Sequence, residues 1–230
     1  MIKFPLEIEN LSFRYPTMEE AILKSIDLQV NWGEVLGIVG LSGNGKSTFC
    51  YCACGIIPHI YKGELEGSIR LLDKNTKDMT LAAIATRVGV VFQEPDTQLF
   101  SPTVEDELAF GPENLCLDRD KIGIRISEAI ADVGMEKHLL NNPFHLSGGE
   151  KQLIALASAL SLKPQILILD EIMAHIDEKG KKIIKEKILT LRDKGKTIIM
   201  VEHDLANLDI ADRIMVLRHG KLYKYDGVLR

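Results

Sequence analysis

The chain has 230 residues, of which 46% are hydrophobic and 27% charged, with a formal net charge of −5. That is ordinary globular composition and enough chain for one large domain with its own core. The acidic balance speaks against a nucleic-acid partner, no apolar run reaches the ~20 residues of a bilayer span, and MIKFPLEIEN has the charges and proline that a signal peptide lacks, so a cytosolic chain is expected.

The first third reads as strands, at 6–15, 25–30, 34–40 and 67–72, with Asn31-Trp32-Gly33 as a turn signal. The third strand runs into GLSGNGKST, Gly40 to Thr48, which fits G-x-x-x-x-G-K-[ST] at every position and precedes a helical pattern at 46–56. In such a loop the glycines (Gly40, Gly43, Gly45) let backbone approach phosphate, and the N–H groups of Leu41, Ser42 and Asn44 point into the concavity. The helix N-terminus adds partial positive charge. Lys46 reaches the β- and γ-phosphates, the Ser47 hydroxyl ligates Mg²⁺, and Thr48 closes the motif. The helix contains Cys50, Cys52 and Cys54; Cys50 and Cys54 share a face and read as small core residues, with no metal-ligand spacing near them. With Cys116 they make no disulfide framework.

Short apolar strands follow at 88–92, 165–170 and 197–201, without alternation, as in a parallel sheet buried on both faces. Helical patterns at 103–111, 119–133, 149–161, 178–193 and 204–210 alternate with them, which argues α/β. Residues 94–160 contain no strand pattern and read as a helical subdomain inserted into a sheet core formed by about 1–93 and 161–230, within one domain over 1–230. At the end of the 165–170 strand stand Asp170, placed to hold Mg²⁺ through water, and Glu171, placed to orient and polarise an attacking water. LSGGEKQ, 146–152, opens a helix with Ser147, Gly148, Gly149 and Glu150; Ser147 is an N-cap and, with the free N–H groups, a second anion site.

With both motifs in place the chain resembles the ATP-binding subunits of ABC transporters, over essentially its whole length and in the family's order. The resemblance implies a P-loop NTPase fold with a mainly parallel central sheet, an N-terminal antiparallel β subdomain and an inserted α-helical subdomain. It also implies ATP and Mg²⁺ as cofactors and ATP hydrolysis as the activity. In FRYP (13–16), Tyr15 looks like the adenine-stacking aromatic. Gln93 looks like the glutamine of the loop joining the subdomains, sharing Mg²⁺ with Ser47 and Asp170, and His203 in VEHD looks like the switch histidine. Lys46, Gln93, Glu171 and His203 are thus the implied catalytic set.

The stretch 91–115, VFQEPDTQLFSPTVEDELAFGPENL, resembles the energy-coupling factor subgroup, whose transporters take up vitamins and transition-metal ions. That likeness implies a second ATP-binding subunit in a homo- or heterodimer, a membrane scaffold subunit, a membrane substrate-binding subunit, and a peripheral place on the cytoplasmic face of the membrane. Residues 93–110 would meet the membrane partner through Leu99 and Phe100 beside Glu105, Asp106 and Glu107. In the implied head-to-tail pair, the signature of one subunit serves the other's nucleotide.

There are departures. After the Asp-Glu pair the family has Pro-Thr-Ala-Gly-Leu-Asp; here Ile172, Met173, His175 and Ile176 replace Pro, Thr, Gly and Leu, while Ala174 and Asp177 remain. In the family this loop, with His175 and Asp177, lies near the twofold axis. After LSGGEKQ an Arg is common and this chain has Leu153. Many subgroup members continue into a C-terminal helical segment, and here a last strand is expected just before Arg230. The competing reading is a soluble or regulatory ATPase of the same family, not coupled to transport. The interval between Gln93 and Leu146 is too short for the coiled coil of a DNA-maintenance relative, and a translation-associated relative would normally have two such domains.

Overall fold

The computed structural model describes residues 2–227. Two sheets share one apolar core, and the larger sheet packs on a second through its other face. β1 (Leu6–Arg14), β2 (Leu23–Val30), β4 (Glu64–Leu71) and β5 (Lys74–Asn75) form an antiparallel sheet in the order β2-β1-β4-β5. β3 (Val35–Val39), β6 (Val88–Val91), β7 (Ile166–Asp170), β8 (Thr197–Glu202), β9 (Arg213–Arg218) and β10 (Lys221–Lys224) form the second, in the order β10-β9-β3-β8-β7-β6. It is parallel except for β10. This is the expected α/β arrangement, with a mainly parallel central sheet beside an antiparallel one.

The unalternating strands have two cores to fill. In β7, Leu167 and Leu169 join one apolar cluster and Ile166 and Ile168 the other; in β8, Ile198 and Met200 face one and Ile199 and Val201 the other. β1 shows a different device. Leu6, Ile8, Leu11 and Phe13 all enter one core although the spacing slips by one residue after Ile8. A bulge at Glu9–Asn10, with Asn10 at φ 48°, absorbs the slip. Gly67 sits against that bulge at φ 77°, where a Cβ would lie 2.3 Å from the Asn10 carbonyl oxygen.

Helices α1 (Lys46–Ala53), α2 (Ile56–His59, a single turn) and α3 (Leu81–Ala85) belong to the N-terminal half. α4 (Val104–Asn114), α5 (Arg119–Val133) and α6 (Gly148–Ser161) pack on one another, and α6 also packs on β6. α7 is Glu178–Asp193.

Several expectations need correction. The helix at 204–210 is a 3₁₀ turn, Leu205–Leu208, because Asp204 caps the Ala206 N–H and the Asn207 side chain turns inward to a buried acid. The 46–56 helix stops at Ala53, ahead of Gly55 at φ 76°. β9 has no counterpart among the strands read from sequence. The strand expected before the end is β10; the last residues, 228–230, lie outside the described ones. Cys50, Cys52 and Cys54 are all buried and free, and burial raises each thiol pKa, Cys54 to about 12.

α7 shows what holds the helices to the sheet. Ile184, Ile188 and Leu191 make its buried stripe at helical spacing. Ile188→Ala should cost about 2–4 kcal/mol from lost burial and the cavity left. Urea unfolding should show a lower midpoint with an unchanged slope.

Candidate functional site

The phosphate loop is held between β3 and α1. Gly40 N–H donates to the Glu202 carbonyl at 3.3 Å, and a Cβ on Gly40 would stand 2.5 Å from the Leu217 carbonyl oxygen, so this position admits only glycine without a backbone shift. Gly43 and Gly45 are left-handed at φ 81° and 95°, and Gly45 ends the loop as the N-cap of α1. Leu41, Ser42 and Gly43 are exposed, Asn44 and Gly45 half-buried. The concavity is therefore lined by backbone, with nothing within 4 Å of where a Gly43 Cβ would point. Such a cradle fits phosphate.

Lys46 is buried, with Nζ 3.3 Å from the Leu41 carbonyl and 3.1 Å from Glu171 Oε1. The other oxygen of Glu171 lies 3.3 Å from His203 Nδ1. Glu171 adopts φ 51°, a left-handed conformation unusual for a non-glycine residue, and its N–H donates to the Val201 carbonyl at 2.8 Å. Asp170 is 4% exposed. Burial pushes its carboxyl pKa up, against the opposing effect of the Ser47 hydroxyl, and Oδ1 has no hydrogen-bond partner. A buried acceptor left open beside Ser47 suits a hydrated Mg²⁺. Among the described residues no three His, Cys, Asp or Glu side chains form a metal cage.

Tyr15 is half-buried, edge-on to Phe13, with its hydroxyl 3.3 Å from Thr48 Oγ1. Gln93 is exposed and lines a cleft of about 380 Å³ with Ser47, Asp170, Tyr51 and Phe92. Tyr15, Lys46, Ser47, Thr48, Gln93, Asp170, Glu171 and His203 thus gather at one end of the main sheet.

The signature does not join them. Ser147 caps α6 in a full capping box: its Oγ and its N–H both donate to Glu150 Oε2, at 2.7 and 2.8 Å, and the Glu150 N–H faces Ser147 Oγ at 3.5 Å. These bonds lower the Glu150 pKa. Ser147, Gly148, Gly149 and Glu150 line a separate cavity of about 470 Å³ with His175, Asp177 and Gly180, and no phosphate-loop residue lines it.

Between the two sites runs the unusual loop. Ile172 and Met173 are fully buried. His175 is exposed at φ 60°, the conformation for which glycine is better suited. Ile176 lies against Gly148, Gly149 and Gly180; a Cβ at Gly180 would stand 2.6 Å from its Cγ2. Asp177 caps α7 through the Gly180 N–H at 2.8 Å.

Sequence reasoning passed over the residues that brace the site. Gln152 Nε2 donates to the Gln93 carbonyl at 2.8 Å, Lys151 pairs with Asp96 at 2.6 Å, and Gln98 laces the end of β6 through Phe92 N–H and the Val90 carbonyl. Glu202 is the buried acid in VEHD, and its charge inside an apolar strand was the available signal. Two expectations for the 93–110 surface are also corrected. Leu99 is buried, and Glu107 is buried and accepts from the Phe100 and Ser101 N–H groups; both stabilise the subdomain. Phe100 and Phe110 are exposed and stacked edge-to-face at 4.7 Å.

The family model for ABC transporters matches residues 23–174. The chain belongs to the ABC transporter family. An ABC transporter ATP-binding protein is an ATP-hydrolysing transporter subunit. A Methanosarcina acetivorans protein, whose name goes no further than ABC transporter ATP-binding protein, is 42% identical over 94% of this chain; the chain spans 34% of that longer relative. The energy-coupling factor transporter ATP-binding protein EcfA of the same organism is 39% identical over 94% of this chain and 77% of its own length. The solved structure of cbiO1 from Clostridium perfringens, described as part of the ABC transporter complex cbiONQ, superimposes with a TM-score of 0.85 at 32% identity. The match covers 96% of this chain and 87% of that one.

Burial, opposed by the Asn207 amide, pushes the Glu202 pKa from 4.5 up to about 7, and the nearby Glu171 and Asp170 charges push the same way. The folded state therefore holds this proton at pH values where the unfolded chain has released it. The contribution to stability is present below pH 4.5 and is lost as pH rises through about 7. Relative to Glu202→Gln, wild type should lose about 2 kcal/mol between pH 5 and pH 8. Urea titrations of both proteins at the two pH values check the sign.

Proposed function

We propose that the chain is the ATP-binding and hydrolysing subunit of an energy-coupling factor importer, powering uptake of a vitamin or transition-metal ion through membrane partners. The observation that supports it best is the separation of the two anion sites. Glu171 lies between Lys46 and His203, and Asp170 lines a cleft with Ser47 and Gln93, while Ser147 to Glu150 open another that none of these residues lines. A nucleotide on the first needs the signature of a second subunit to be enclosed. A head-to-tail pair, with the same chain or a related one, supplies it.

In this reading Lys46 binds the β- and γ-phosphates, Tyr15 stacks on adenine, and the loop N–H groups hold phosphate oxygens. The phosphate competes with Glu171 for Lys46 and releases the carboxylate to polarise the attacking water. His203 contacts the γ-phosphate, and Ser147, Gly148 and Gly149 close over the partner's nucleotide. Ser47, Gln93 and Asp170 would hold Mg²⁺, which when bound neutralises charge on the phosphates. No helix of the described residues is long and apolar enough to cross a membrane. Attachment to the cytoplasmic face would run through partner subunits, with exposed Phe100 and Phe110 beside acidic Glu105 and Asp106 as the docking surface. The likeness to EcfA and to cbiO1 supports this assembly. Copurification with a membrane scaffold subunit tests it, and a chain that never associates with one fits the uncoupled ATPase.

Two variants test the site. Lys46→Ala should lose roughly one to three orders of magnitude in ATP affinity. Thermal-shift titration should then show stabilisation by ATP in wild type and little in the variant. Glu171→Gln should bind ATP, turn over very slowly, and elute as a closed pair on sizing chromatography with ATP and Mg²⁺. Wild-type turnover in that variant would remove Glu171 from its role.

A further inference from the structure

We propose that Glu202 is a positioning residue for ATP hydrolysis: its buried carboxyl group joins the loop that holds Glu171 to the turn that follows His203, and so sets the two reacting side chains relative to each other. Glu202 ends β8, next to His203, and is 1% exposed. Its Oε2 accepts from Asn207 Nδ2 at 3.0 Å, inside the 3₁₀ turn. The Met173 backbone N–H faces the same carboxyl group and favours its ionised form. Its own carbonyl accepts from Gly40 N–H at 3.3 Å, and one residue earlier the Val201 carbonyl accepts from Glu171 N–H at 2.8 Å. The phosphate loop, the Glu171 loop and the His203 turn are thus all fastened to the last two residues of one strand, and only Glu202 does so with a side chain.

The chemistry at this point is not what packing alone would select. The charged groups around Glu202 are Asp170 and Glu171 at the end of β7 and Lys181 on α7. Two of the three are acids, and no cation forms an ion pair with Glu202 among the described residues. A buried acid beside buried Asp170 and half-buried Glu171 is destabilising, and a valine or threonine would fill a strand end without that cost. Residues that oppose stability cluster where geometry serves function. A carboxylate has two acceptor oxygens, enough to hold an amide from each flanking segment at once. The loop it holds follows Glu171 directly and begins with the buried Ile172 and Met173.

This inference rests on Glu171 and His203 being the hydrolysis pair. The test measures kcat and ATP affinity in the full chain for wild type, Glu171→Gln, Glu202→Gln, Asn207→Ala and the Glu202→Gln/Asn207→Ala double variant. Glu202→Gln keeps the volume but turns one acceptor into a donor. It should lower kcat on the order of tenfold or more while ATP affinity stays within about threefold, because the phosphate loop is untouched. Asn207→Ala should lower kcat in the same direction, and the double variant should be no slower than the slower single variant. A folded Glu202→Gln protein with wild-type kcat, or one that loses affinity and turnover together, overturns the proposal. If Glu202→Gln does not fold, Asn207→Ala decides by the same criteria. If Glu171→Gln itself turns over normally, the reading of the site fails; if it is slow and Glu202→Gln is not, this inference alone fails.

Discussion

The Glu171 carboxylate lies between Lys46 Nζ at 3.1 Å and His203 Nδ1 at 3.3 Å, and the architecture around it keeps those three groups within reach. Each comes from a different segment: the start of α1, the residue after β7, and the residue after β8. β7 and β8 are adjacent parallel strands, and β8 is paired with β3, which leads into the phosphate loop. Parallel pairing delivers all three at the same end of the sheet. An antiparallel neighbour would have sent one of them to the far side. The two cores exist to hold these strands, which is why their residues are apolar on both faces.

Much of this was legible in the sequence because glycine, lysine and carboxylate spacing is tied to phosphate chemistry. Gly40 to Thr48, Asp170 with Glu171, and Ser147 with Glu150 could be placed before any coordinates, and α5 and α7 fall on their patterns at 119–133 and 178–193. The bulge in β1 was present in principle as the three-residue step from Ile8 to Leu11. What was not legible depends on contacts between distant segments. Leu99 and Glu107 look like surface residues until the segment before α4 packs into the subdomain core and its Phe100 and Ser101 N–H groups donate to Glu107. Asn207 looks helical until Glu202 draws it inward. Local patterns fix an element's period; they do not say which polar side chain finds a buried partner.

The loop from Ile172 to Ile176, which departs from the family pattern, is well packed. Ile172 and Met173 are buried as completely as any core residue, and His175 takes a left-handed conformation to which glycine is better suited. That conformation costs a non-glycine residue on the order of 1 kcal/mol. The surrounding packing sustains it, since the backbone on either side is anchored by Ala174 N–H to the Glu171 carbonyl and by the Asp177 cap.

Ile176 touches the signature glycines while Glu171, at the other end of the same short loop, touches the phosphate-loop lysine. In the head-to-tail pair proposed above, this one short loop would join a subunit's own phosphate-loop lysine to the signature that serves its neighbour. Any coupling between the two sites would then depend on side-chain packing in this loop as well as on the chemistry at either phosphate.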